Sequence, residues 1–394
     1  MSDPHWPPWP IRPYSTQTHT ETVAAGPASD PEPFPDPVIN QGVSFEEFLV
    51  SDYTTGLERR EELFLVRADD EPERAYRRIR SLFPIERNGR RWGEVVLCLV
   101  LERQRDDMDG IVFVEPPPDS PTFVAIKVLS RQVVEEYLQG GGTENPYNEI
   151  AAMQAIGDGI HVINCLEALE DTRQHRNQLF IVMPFCEGGD LWSVIHENPD
   201  YEGPGIPEEY GRRCFREIIE CVEYLQRQGV CHGDISAENV LIRNGRCILI
   251  DLGCCFRVPR AQNWQRVMSR PFQQRFGKNE YMAPEIFFLQ FNFDGFAIDI
   301  WSAGVTLFHM LTGDLIERTP VWAVVQRNLN NFIRNNPRLQ NVTRHMNGVA
   351  CHLIHRMLLE PATRYTLQDV TMSTWVSALV LQHVPMDRYL EAAE

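Results

Sequence analysis

The chain has 394 residues, of which 43% are hydrophobic and 10% aromatic, and a net charge of -18. That is enough apolar material for a sizeable core, which excludes a wholly disordered or collagen-like chain; the length allows two domains or one two-lobed unit with a tail. The acidity makes nucleic acid and anionic lipid poor partners, and no apolar run approaches the roughly 20 residues that span a bilayer.

Residues 1–43 begin MSDPHWPPWP and carry proline from Pro4 to Pro37, with acidic Asp3, Glu21, Asp30, Glu32 and Asp36 against Arg12. No basic stretch followed by an apolar one marks a secretory signal. Such a composition cannot offset chain entropy by burial, so it reads as a disordered tail, or as a docking peptide anchored by Trp6 and Trp9. Residues 44–82 form a charged, partly periodic extension. In DEPERAYRRIRSLF, Pro72 suits a first helical position, and Ala75, Tyr76, Ile79 and Leu82 share one helical face, with Arg77, Arg78 and Arg80 on the other.

From Phe83 the texture becomes β: FPIERNG, GEVVLCLVLE and TFVAIKVL are short, β-branched and broken by turns. A long insertion containing Pro116, Pro117 and Pro118 separates the second from the third. A helix is expected from Pro146, then strands in VINCLEALE and QLFIVMPF. After Gly188 helices dominate, and PEEYGRRCFREIIECVEYLQRQG repeats Cys214, Ile218, Val222 and Leu225 on one stripe. A β-rich part followed by a helical part predicts an α+β molecule of two lobes with a cleft between them. The ten cysteines are scattered with no C-x-x-C pair, which suits reduced thiols in the cytoplasm or nucleus and argues against a disulfide scaffold or zinc finger.

Five elements occur in order: VAIK, a helix with an inward acid, HGDISAENVL, DLG, and YMAPE followed by DIWSAG. Together they resemble the eukaryotic protein kinase superfamily, of serine/threonine type but divergent, over residues 83–380. The resemblance implies the two-lobed kinase fold, with a β-rich N-lobe over 83–187, a mainly helical C-lobe over 188–380, and a short tail over 381–394. It implies ATP and Mg2+ as cofactors and a protein as substrate. Lys127 would meet the ATP phosphates. Glu149 shares a helical face with Ala152, Met153 and Ile156, and a carboxylate buried there needs a cation, for which Lys127 is the natural partner. Glu144, Glu135 and Glu136 are expected to precede that helix. Asp234 would orient the attacking hydroxyl, and Asn239 and Asp251 would hold metal. Met183, the backbone of Phe185 and Cys186, and Val95, Ala125 and Leu241 would surround adenine, with Asp190 at the ribose. Glu285 and Arg364 would form a buried ion pair, and Asp299 would accept backbone N–H groups from the catalytic loop.

The sequence departs from the family in three places. The glycine-rich stretch is NGRRWGEVV: it keeps Gly93 and Val95, puts Asn88 and Arg90 at the first two glycine positions, and displaces Gly89 by one. Arg90 and Arg91 would then face phosphate or solvent. Gly233 stands where many kinases carry an arginine that pairs with a phosphorylated activation loop, which implies that no such phosphorylation is needed. The segment from Cys254 to Met282 is instead basic, with Arg257, Arg260, Arg266, Arg270, Arg275 and Lys278, and is expected to dock on acidic surface of the same lobe or to receive acidic substrate. Finally, Ser236 and Lys278 occupy positions where the family has lysine and threonine respectively. The cation and the hydroxyl have changed places, which brings both into the candidate catalytic set with Asp234, Lys127 and Glu149.

The reading is an ATP-dependent kinase for serine and threonine hydroxyls of proteins. Two alternatives stand beside it. One is a pseudokinase acting as scaffold or allosteric partner, which the altered glycine stretch favours. The other is a small-molecule phosphotransferase, which also uses H-G-D but lacks the YMAPE, DIWSAG and Arg364 set.

Overall fold

The computed structural model describes residues 23, 27–68, 72–87, 89–104, 111–173, 175–197, 205–263, 265–289, 292–315 and 347–378. Trp6, Trp9, Asn88 and the tail over 381–394 lie outside them. Strands come first: β1 Asn40–Ser51, β2 Glu58–Arg67, β3 Arg74–Arg87, β4 Arg90–Gln104, β5 Val112–Val114 and β6 Phe123–Ser130. Helices α1 Arg131–Gln139 and α2 Pro146–Ile156 precede β7 Glu167–Asp171 and β8 Gln178–Pro184.

These strands make one sheet that closes on itself. β1 pairs with β2, β2 with β3, β3 with β4, β4 with β6, β6 with β8, β8 with β7, and β7 with β1, while β5 bridges β4 and β1. Closure leaves these ring strands with partners on both sides. Phe64, Tyr76, Val96, Ile126, Phe180 and Val182 fill the interior.

The helix expected from Pro72 is instead β3. It pairs with β4 along its whole length, from Arg74 opposite Glu102 to Arg87 opposite Arg90. The register shifts between Arg78 and Arg80, between Ser81 and Phe83, and between Ile85 and Glu86. Each bulge advances the alternation by one residue, so the apolar spacing mimics a helical period. The arginines are held across strands: Arg77 meets Glu61 at 2.7 Å and Arg78 meets Glu94 at 3.0 Å. Ile79, placed on the predicted apolar face, is 48% exposed.

The tail expected to be disordered through residue 43 is ordered in part. Residues 27–39 lie along the body of the protein, bridged at Ser29–Ser269 and Glu32–Arg257, and β1 begins at Asn40. β1 is pinned by Asp171, a buried carboxylate that accepts from Ser44 N at 3.0 Å, Ser44 Oγ at 2.8 Å and Arg173 Nη2 at 2.6 Å.

The second lobe is helical. It contains α3 Leu191–His196, α4 Glu208–Arg227, the short strands β9 Val230–Cys231, β10 Val240–Arg243, β11 Arg246–Leu249 and β12 Phe256–Arg257, then α5 Pro284–Phe288, α6 Gly295–Thr312, α7 Gly348–Met357, α8 Leu367–Met372 and α9 Thr374–Ser377. Cys214, Ile218, Val222 and Leu225 of α4 are buried on the predicted stripe. α6 is apolar all round and buried almost throughout, so it forms the centre of the lobe. Arg364 and Glu285 make a buried two-point pair, at 2.6 and 3.1 Å. Among the described residues no helix is long and apolar enough to cross a membrane.

Candidate active site

The cleft between the lobes is built around Lys127. Strand alternation sends Val124, Ile126 and Val128 into the closed sheet and turns Ala125 and Lys127 to the opposite face. α2 starts where its sequence dictates: Asn145 caps it by accepting from Tyr147 N at 3.0 Å, and Pro146 takes the first turn. Glu149 then points inward, 2% exposed, and its Oε2 lies 2.7 Å from Lys127 Nζ. Asp251 Oδ1 stands 3.6 Å from the same ammonium. Burial alone would lower the Lys127 pKa, but the carboxylates of Asp251 and Glu149 outweigh it and hold the amine charged. Burial pushes the Glu149 carboxyl up to about 7, against the pull of Lys127. Two further bonds tie α2 to the chain after Asp251: Asn145 N–H donates to Gly253 O at 3.1 Å, and Asn148 Nδ2 to Cys255 O at 2.9 Å.

The catalytic loop hangs from α6. Both oxygens of buried Asp299 accept from it, taking His232 N at 2.7 Å and Gly233 N at 2.9 Å. His232, whose pKa burial lowers, is neutral; its Nε2–H donates to Ile250 O at 3.0 Å and its Nδ1 accepts from Asp234 N at 3.2 Å. Gly233 has φ +78°, and a Cβ there would lie 2.7 Å from Cys254 O and 3.0 Å from the Phe276 ring. The Phe276 ring thus lies against the position where the family has its arginine. Asn239 Nδ2 donates to Asp234 O at 2.8 Å and Asp234 Oδ2 at 2.9 Å, which leaves the Asn239 oxygen turned away from Asp234. Asp251 occupies a left-handed backbone conformation, φ +64°.

Lys278 reaches this group from the activation segment. Its N–H donates to Asp234 Oδ1 at 2.7 Å, and its ammonium lies 3.2 Å from Asp234 Oδ2, 2.9 Å from Ser236 Oγ and 2.9 Å from Asn239 Oδ1. Burial raises the Asp234 pKa, and the Lys278 charge opposes that rise. Asn239 Oδ1 and the Asp251 carboxylate are hard oxygen donors of the kind a divalent cation takes. Among the described residues no cluster of three or more His, Cys, Asp or Glu side chains forms a metal cage. A site in which substrate phosphates complete the shell fits that donor set.

The nucleotide side of the cleft differs more from expectation. Gly89, φ +71°, lies in the tight β3–β4 turn. Gly93 is required by the sheet, because a Cβ there would lie 1.7 Å from Val128 O. Arg90 turns away from the cleft to Glu136 of α1, at 2.7 Å, and Trp92 packs edge-on against Tyr137 at 4.4 Å. Glu135 and Glu136 therefore sit on a helix of their own, α1, ahead of the one expected from Pro146. Val95, Ala125 and Met183 line up through register, Val95 opposite Lys127 and Ala125 opposite Met183. Phe185 and Cys186 follow β8, and Leu241 bridges Asp190. The Asp190 carboxylate caps α3, accepting from Ser193 N at 2.8 Å. Phe83 was missed: it stands opposite Val95 in the β3–β4 ladder, on the same sheet face, and is 53% exposed. Unbroken counting outward from the N-G turn would pair Phe83 with Glu94; a bulge between Ile85 and Glu86 moves the register by one and sets Phe83 opposite Val95, which no residue pattern displays.

The basic segment is largely partnered within the chain. Arg257 meets Glu32 at 3.0 Å, Arg266 meets Asp294 at 2.5 Å, Arg270 meets Asp30 at 3.1 Å, and the Arg275 guanidinium lies 3.7 Å over the Phe287 ring. Part of the acidic surface it docks on is the N-terminal segment, rather than the same lobe alone.

Comparison with known proteins agrees with this geometry. A family profile described as "Protein kinase domain" matches residues 111–376. Calcium-dependent protein kinase 24 of Arabidopsis thaliana is 28% identical over 240 residues, 59% of this chain and 37% of that one. Hormonally up-regulated neu tumor-associated kinase of Homo sapiens is 30% identical over 270 residues, 66% of this chain and 34% of that one. CBL-interacting protein kinase 30 of Oryza sativa subsp. japonica is 28% identical over 254 residues, 64% of this chain and 48% of that one. The alignments thus span between a third and a half of the length of these relatives. The matched profile, the two lobes and the ordered motifs lead to one conclusion: the chain belongs to the protein kinase family and has the two-lobed kinase fold.

Proposed function

We propose that this protein transfers the γ-phosphoryl group of ATP to serine or threonine hydroxyls of a protein substrate. The observation that carries the reading is the convergence on Lys127 of Glu149 at 2.7 Å and Asp251 at 3.6 Å, which brings strand, helix and D-L-G segment to one point. Lys127 binds phosphate oxygens, with Glu149 holding its ammonium in place. Asp234 accepts the hydrogen bond of the attacking hydroxyl and orients it in line. Lys278 offsets charge beside Asp234, the part played elsewhere by a lysine at the Ser236 position. Asn239 and Asp251 are the residues that would hold Mg2+, which when bound neutralises phosphate charge. Phe83, Val95, Ala125, Met183 and Leu241 enclose the adenine, and the backbone of Phe185 and Cys186 meets its edge. The ten cysteines are all free thiols, which supports a reducing compartment, cytoplasm or nucleus. Trp6 and Trp9 supply anchors for a docking partner.

A second reading, a nucleotide-binding scaffold without transfer, is favoured by the hairpin that lacks the first two glycines. One experiment separates them. The purified chain is incubated with labelled ATP, Mg2+ and generic acidic and basic protein substrates, beside Asp234→Asn. Transfer by the wild type and its loss in the variant is the expected result. Nucleotide binding with no transfer by either protein would establish the scaffold.

A further inference from the structure

Residues 27–39 run across the molecule between two parts of the active site. At one end Ser29 N–H donates to Met268 O at 3.0 Å, and Arg270 N–H donates to Ser29 O at 3.0 Å. In the middle Glu32 N–H donates to Arg257 O at 3.3 Å, while the Arg257 guanidinium meets the Glu32 carboxylate at 3.0 Å and Pro33 O at 3.2 Å. At the far end the side-chain amide of Gln154, in the last turn of α2, holds the Val38 backbone with two bonds, Val38 N to Oε1 and Nε2 to Val38 O, both 2.8 Å. Phe34 and Ile39 pack against the main core.

The composition suits this path. Proline stands at 31, 33, 35 and 37, so alternate residues are locked in an extended backbone before docking, and ordering costs little entropy. The N–H groups used belong to Ser29, Glu32 and Val38, none of them proline. The Asp30–Arg270 pair is exposed on both sides, 74% and 57%, and contributes little. The backbone bonds, the Gln154 amide and the half-buried Glu32–Arg257 pair hold the segment.

Both ends are places where catalysis needs order. α2 carries Glu149. Arg257, Met268 and Arg270 belong to the segment that leads from Asp251 to Lys278. Gly233 offers no guanidinium to a phosphate there. Instead Phe256, Phe272, Phe276 and Phe293 interlock, with Phe272 and Phe276 ring centroids 4.9 Å apart. We propose that residues 28–38 are an intramolecular strap that sets α2 and the activation segment in their catalytic arrangement, in place of a phosphate on that segment. Its effect on rate rests on the phosphotransferase reading above; its effect on order does not.

The test uses the full chain. Ser29→Pro removes the donor to Met268, and Gln154→Ala removes the clamp on Val38. Amide exchange is followed over residues 256–276 and in α2, with α6 as the control for global unfolding. Each variant is expected to speed exchange in the first two regions by about fivefold or more, and not in α6. It is expected to lower kcat by about fivefold with KM for ATP within about twofold, since Lys127 and Asp251 are untouched. Glu32→Arg should lower kcat in the same way, and Arg257→Glu added to it should restore the rate. Unchanged exchange in both variants, or faster exchange with unchanged kcat, overturns the strap. Failure of the charge exchange to restore the rate removes the Glu32–Arg257 pair from it. If the wild type transfers no phosphate, the proposed function fails, and exchange alone judges the strap, because order needs no turnover.

Discussion

The ammonium of Lys278 donates to the hydroxyl of Ser236 at 2.9 Å, two side chains 42 positions apart in sequence that meet beside the Asp234 carboxylate. Their residue types are exchanged relative to the family pattern, yet the cation lands where it serves the same oxygens. Lys278→Met should therefore lower kcat about 100-fold, the cost of removing one well-placed electrostatic donor. KM for ATP should change little. The double variant Ser236→Lys with Lys278→Thr restores the family order and should recover part of the loss. Steady-state rates of the wild type and the two variants check this, and an unchanged rate in Lys278→Met would remove the residue from the mechanism.

Glu149 couples activity and stability with opposite signs. Its folded pKa, about 7, lies above the ordinary 4.5 because of burial. The group's stabilising contribution is therefore present below 4.5 and is lost as pH rises towards 7. Glu149→Gln does not titrate, so its stability relative to wild type should improve between about pH 5 and about pH 8. Activity should run the other way. The ion pair with Lys127 needs the carboxylate, so wild-type kcat/KM for ATP should rise through neutral pH, whereas the variant stays low and flat. Urea melts and pH–rate profiles give both curves.

The hairpin over the cleft is pinned to α1 by Trp92 against Tyr137, 4.4 Å apart, and by Arg90 to Glu136 at 2.7 Å. The aromatic pair is the stronger of the two, because the ion pair is exposed and screened. Tyr137→Ala should raise KM for ATP several-fold, up to about tenfold for roughly 1.4 kcal/mol, with a smaller change in kcat. Arg90→Ala should stay within about twofold. Initial rates against ATP concentration separate them. Equal effects would mean that the hairpin is held by charge.

Asp171 fastens β1 to β7. Burial alone would raise its pKa, but hydrogen bonds from Arg173 and Ser44 hold it at about 2. A depressed carboxyl stabilises above its unfolded pKa, 3.8, and the contribution is lost as pH falls through 2. Asp171→Asn should cost about 2 kcal/mol at neutral pH. The gap to wild type should narrow as pH falls below about 4. Urea midpoints at several pH values report it, and a gap independent of pH would contradict the ion-pair account.

The placing of the candidate site was legible in the sequence because its residues lie in short segments whose local spacing is meaningful. V-A-I-K places Lys127 on the outer face of a strand, helical periodicity turns Glu149 inward, and H-G-D-I-S-A-E-N sets Asp234 and Asn239 in one loop. The position of Lys278 beside Asp234 was also expected from sequence, as a cation missing from one motif and present in another. What only the tertiary structure decided depends on pairings between distant segments. The first half of β3 looked helical because the two bulges between Arg78 and Phe83 disguise its alternation and its true partner, β4, is set by hydrogen bonds that no residue pattern displays. The fate of Arg90 followed from a helix, α1, lying within reach of it. The strap looked like disordered tail because its composition forbids a core of its own. Its order comes from Met268, Arg257 and Gln154, more than a hundred positions away, and folding alone brings those groups to it.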